Sequence, residues 1–69
     1  MPTAIFEISA MSKRKVKTGF ADLDDAEAYV RAHYGQKLVC FERDADNPGT
    51  ADFFVASGSV YAIEPEKAA

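Results

Sequence analysis

The sequence predicts an α+β domain of order ββαβββ: a twisted antiparallel five-stranded sheet with one helix packed on one face. Three observations lead there. A single segment, "DLDDAEAYVRAHYG", repeats its apolar residues at helical spacing. Five other segments are rich in β-formers and run to strand length. The joins between most of them are short and carry Ser, Gly, Asn or Pro.

The first strand is "TAIFEISA", in which Ala4, Phe6 and Ile8 share one face while Glu7 and Ser9 point to the other. "KRKVKTGF" follows across a join at Met11 to Lys13, so the two form a hairpin. Strict alternation places Val16, Thr18 and Phe20 on one side of it, with Lys13, Lys15 and Lys17 on the other.

The helix is expected over about Leu23 to Tyr34. Asp22 is placed to accept from first-turn amides, and Asp24, Asp25 and Glu27 suit the positive end of the helix dipole. Leu23, Ala26, Val30 and Tyr34 make the buried stripe, expected to contact some of Phe6, Ile8, Val16 and Phe20. Gly35 suits the left-handed residue that closes a helix.

"KLVCFER", "ADFFVAS" and "SVYAIE" are the last three strands. The loop "DADNPGT" joins the first two, and a tight turn at Ser57 and Gly58 joins the second pair. Residues 1–64 form one domain, and Pro65 starts a frayed tail over 65–69. The helix returns the chain so that the third strand runs parallel to the second and antiparallel to the first. The first strand is then central, with the second on one side and either the third or the fifth on the other.

Composition narrows the function classes. At 69 residues the chain is a small domain that buries only about 60% of its unfolded surface. Apolar runs are too short for a membrane helix, and the early positive charge follows the apolar start, the reverse of a secretory signal. One cysteine and one histidine exclude an internal disulfide framework and a zinc set within one chain. The expected compartment is the cytoplasm, with no cofactor, metal or membrane partner.

The motifs that suggest chemistry have ordinary structural readings. "DADNPG" fails the calcium-loop spacing, since Pro48 and Val55 stand where ligands are needed. Ser57 and Ser59 flank Gly58 in a hairpin turn, without the strand-turn-helix context of a nucleophile elbow. Cys40 lies among apolar neighbours and is expected to be buried packing, and His33 suits the negative end of the helix dipole. No catalytic constellation remains, so the chain is not expected to be an enzyme. A small-ligand site beside Tyr29 and Tyr61 is a minor alternative.

Two features remain. Lys13, Arg14, Lys15 and Lys17 hold four of the eight basic side chains of a protein with net charge −3. Such a cluster contacts a polyanion or guards an outer strand against edge-to-edge pairing; the acidic balance and the lack of interleaved aromatics favour the second role. Nucleic-acid binding through residues 13–17 stands as the alternative function. The last three strands, moreover, are apolar on both faces, and one helix covers only one of them. Leu38, Cys40, Phe54 and Ala56 are expected to share the uncovered face and to be covered by a second copy or another protein. The expected function is a small non-catalytic interaction or regulatory module, a homodimer.

Overall fold

A computed structural model describes residues 2–66. Its elements are β1 (Thr3–Ile8), β2 (Lys13–Phe20), α1 (Leu23–Tyr34), a 3₁₀ turn (Gly35–Lys37), β3 (Leu38–Arg43), β4 (Ala51–Val55) and β5 (Val60–Pro65). This is the predicted ββαβββ order, with every strand pair antiparallel.

The helix begins where Asp22 accepts a hydrogen bond from the Asp25 amide at 2.9 Å, satisfying one of the free first-turn donors. It ends at Gly35, whose φ of 53° lies in the left-handed region and whose N–H returns to the Arg31 carbonyl.

The strand order is β2-β1-β5-β4-β3. Thus β5 takes the place beside β1 and forms the middle of the sheet, while β3 lies at the far edge from β2. The crossover from β2 to β3 therefore spans four strand spacings, about 19 Å. A 12-residue helix, about 18 Å long, covers that distance, so one helix reaches from one edge strand to the other across one face.

Beneath α1 the core comprises Ile5, Leu23, Ala26, Val30, Ala51, Phe53, Val55 and Ile63. An aromatic run lines this interface. Phe53 stacks on Tyr61 with ring centroids 4.8 Å apart, Tyr34 sits 5.5 Å from Phe53, and Phe20 meets Tyr29 at 5.3 Å. The helix stripe contacts Phe20 as expected, but Ile5 supplies the β1 contact. Ile5 pairs with Ile63, while Phe6 and Ile8 pair with Ala62 and Val60 on the opposite face. Both faces of β1 carry apolar side chains, so alternation alone could not choose between them.

Irregular pairing changes β2 as well. Two register shifts, either side of the Ile5–Lys17 pair, each insert an extra β2 residue. Lys15 and Lys17 consequently point to different faces: Lys15 pairs with Phe6, whereas Lys17 pairs with Ile5 and lies over the Tyr29 ring at 5.2 Å. Val16, left at the bulge, is exposed.

Ion pairs bind the β3 edge to the helix. Arg43 meets Asp24 at 2.7 Å and also Glu27, which in turn accepts from Arg31 at 2.8 Å. These guanidinium contacts, Arg43 first and Arg31 second, hold the Glu27 carboxyl below its ordinary pKa. At the other end of the chain, Pro65 closes β5 and the Glu66 amide donates to the Pro2 carbonyl at 2.6 Å. The ordered domain thus extends past the expected boundary at residue 64, because β1 offers Pro65 a pairing partner in Thr3. The rest of the expected tail, 67–69, lies outside the described residues.

Candidate interaction face

Pairing register arranges the uncovered face of the sheet in rows that cross all five strands. One row reads Lys13, Ile8, Val60, Phe54, Cys40 from β2 to β3. The next reads Lys15, Phe6, Ala62, Asp52, Glu42. These two rows carry lysines at the β2 end, Asp52 and Glu42 toward the β3 end and apolar side chains between. Glu64, opposite Ala4, brings a carboxylate that pairs with Lys13 onto the same face of β5.

Only one half of this face is shielded. The Lys13 ammonium crosses over the Phe6 ring, 4.9 Å from its centroid, and meets Glu64 at 2.6 Å. Lys15 and Thr18 both donate to Glu66. These long aliphatic stems cover apolar surface while their charged ends stay wet, and Ala4 and Ala62 beneath them are buried. The other half has no such cover. Phe54 remains 42% exposed, Val60 45% and Ile8 36%.

The expected interaction set is divided by the fold. Cys40 and Phe54 face each other across β3 and β4 on the uncovered face. Leu38 does not join them: a register shift between Leu38 and Cys40 turns Leu38 toward Val55, where it packs against the core. Val39 absorbs the extra residue and is exposed. Ala56 lies beyond β4, donating its amide to the Lys37 carbonyl at 2.8 Å. Cys40 itself is exposed, contrary to its apolar sequence neighbours, because β3 is an edge strand and its outer face lacks a covering layer. Sequence reasoning missed Ile8 and Val60 as members of the row. Their apolar character was visible, and the β4–β5 hairpin puts Val60 beside Phe54, but bringing Ile8 into the row requires β5 to lie between β1 and β4.

The basic cluster is placed on an outer strand, and its charges have local partners. Lys13 pairs with Glu64, Arg14 with Glu7 at 2.7 Å, and Lys15 with Glu66. With Lys17 on the other face, the four cations do not form one continuous row.

Two concavities lie on the surface of the described residues. One, of about 300 Å³, opens beside Asp44, Asn47, Asp52 and Glu64. Asp44 is occupied within its own loop, accepting from Asn47 Nδ2 at 3.0 Å and the Asp46 amide at 2.9 Å, and these bonds lower its pKa. No group of three or more potential metal ligands occurs among the described residues. The second, about 500 Å³, lies where α1 ends against the β4–β5 hairpin, bounded by His33, Tyr34, Lys37, Ser57 and Tyr61.

Burial, with the adjacent Tyr61 phenol as second cause, pushes the Tyr34 pKa from 10.0 up to about 12. An unfolded chain would release this proton near pH 10 while the folded one retains it. The Tyr34 contribution is thus fully present below pH 10 and is lost as pH rises through about 12. Urea midpoints across that window are expected to fall more steeply for wild type than for Tyr34→Phe. Parallel losses would show that burial of this phenol is not the source.

Comparison with protein-family models, curated proteins and solved structures finds no match. Fold and surface define a single-helix α+β protein with an open five-stranded antiparallel sheet.

Proposed function

We propose that this chain is a small non-catalytic protein-interaction or regulatory module that self-associates through the uncovered face of its sheet. The observation that carries the reading is the exposed apolar row Ile8, Val60, Phe54 and Cys40, aligned across four adjacent strands. Contiguous apolar surface of this kind gains free energy when a partner excludes water from it. A second copy presents the same surface at the same concentration, and a two-fold contact satisfies both at once.

The non-catalytic part is supported by the state of the ionisable groups. Glu7, Glu27, Glu64 and Glu66 are engaged in ion pairs, and His33 stacks on Tyr29 and meets Tyr34 edge-on. Nucleic-acid binding through Lys13, Arg14, Lys15 and Lys17 is less well supported, since three of these cations already have carboxylate partners. A cytoplasmic setting belongs to the same reading: a single cysteine offers no internal disulfide. No helix among the described residues is long and apolar enough to cross a membrane.

Phe54 is the anchor, as the largest exposed side chain in the row. In sedimentation equilibrium, wild type is expected to dimerise with rising concentration. Phe54→Glu is expected to raise the dissociation constant by about tenfold or more while staying folded, because Phe54 lies outside the core cluster. A folded wild type that remains monomeric at high micromolar concentration would overturn the proposal.

A further inference from the structure

We infer that two copies stack face to face about a two-fold axis running along β5, so that β2 of each lies over β3 of the other. This rests on the self-association proposed above and adds its orientation and its charge pairs. Stacked sheets that pack aligned keep their strands within about 30° of one another. The two limiting two-fold axes in the plane between them then run along the strands or across them.

The charge gradient along the strand order separates these choices. An axis across the strands lays β2 on β2 and β3 on β3. Lys13 and Lys15 would then gather over their own counterparts, and Asp52 and Glu42 over theirs. An axis along β5 reverses the order, bringing Lys15 of one copy over Glu42 of the partner copy. It also sets Ile8 against Phe54 of the partner copy and Phe6 against the partner copy's Asp52, with Val60, Ala62 and the Lys13-paired Glu64 meeting their own images at the axis.

A second feature points the same way. Glu42 and Asp52 stand directly opposite each other in the β3–β4 pair, a destabilising arrangement of like charges. Neither has an ion-pair partner among the described residues. The Lys13 and Lys15 side chains are 45% and 46% exposed despite their contacts with Glu64 and Glu66, so they remain accessible to a partner's acids.

Size makes orientation matter. Five strands about 24 Å across and about 20 Å long offer roughly 1,000 Å² summed over two copies, at the low end for a specific interface. Apolar area of that extent does not dictate one orientation, whereas pairing or opposing several charges does.

Charge exchange tests the arrangement. At low salt, Lys15→Glu and Glu42→Lys are each expected to raise the dimer dissociation constant roughly tenfold, and the double variant to restore it to within about threefold. Circular dichroism of each variant separates lost association from lost folding. Cross-linking gives an independent measurement, because Cys40 is the chain's only cysteine. With the axis along β5, the two Cys40 residues lie about 19 Å apart in projection; with the axis across the strands they can approach the sheet spacing of about 10 Å. A bis-maleimide of about 10 Å reach is therefore expected to leave the wild-type dimer unlinked. It should link Lys13→Cys, whose new thiol lies opposite Cys40 of the partner copy. A Cys40–Cys40 product, or a dimer whose double variant is no tighter than its singles, would overturn this orientation while leaving self-association intact. A monomeric wild type would remove both.

Discussion

Phe53→Ala is expected to leave the protein largely unfolded, or with a urea midpoint close to zero. Phe53 is 1% exposed and stands at the centre of the aromatic packing. Tyr61 stacks on it at 4.8 Å, Phe41 at 6.0 Å, and Tyr34 approaches at 5.5 Å. Truncating a buried phenylalanine removes about 3–5 kcal/mol, combining the lost transfer free energy with the cavity left behind. A chain of 69 residues holds on the order of 3–10 kcal/mol in total, so this one change removes much or all of the margin. The strands on both sides limit how far the site can collapse to fill the void. Phe53→Leu, which retains more of the volume, should remain folded with a reduced midpoint. If Phe53→Ala unfolds at the wild-type urea concentration, the helix-to-sheet core described above is wrong.

Val30→Ala is expected to destabilise by about 1–3 kcal/mol. Val30 is completely buried on the face of α1 that meets the sheet, in one cluster with Leu23, Ala26, Ile5 and Ile63. Alanine has the higher helix propensity, which offsets part of the packing loss. The net effect therefore reports burial against the sheet. Each kcal/mol lowers the melting temperature by about 4–8 °C in a domain of this size. Ala28→Ser, on the exposed side of the same helix, should change the midpoint little. Equal shifts for the two variants would show that the stripe at Val30 does not face the core.

The helix and the order of the elements were legible because their signals are local. Asp22 caps a backbone amide three residues away, Gly35 closes the last turn, and the apolar stripe repeats within 12 residues. The place of β2 at an edge was also suggested locally, by charges that discourage another strand from docking there. The excess of apolar residues on the last three strands likewise announced a face that one helix does not cover.

What the sequence by itself determined was the inventory: five strands, one helix, a protected outer strand and more apolar surface than a single layer can hide. Only the tertiary structure decided which residues share the uncovered face. Strand alternation has a period of two, so one inserted residue reverses the side to which the next side chain points. Such shifts send Leu38 and Lys17 toward the helix and separate them from Cys40 and Lys15. Some neighbour relations across strands are equally non-local. Val60 meets Phe54 through the local β4–β5 hairpin, but Ile8 joins them only because β1 pairs with β5, more than 50 residues away in the chain.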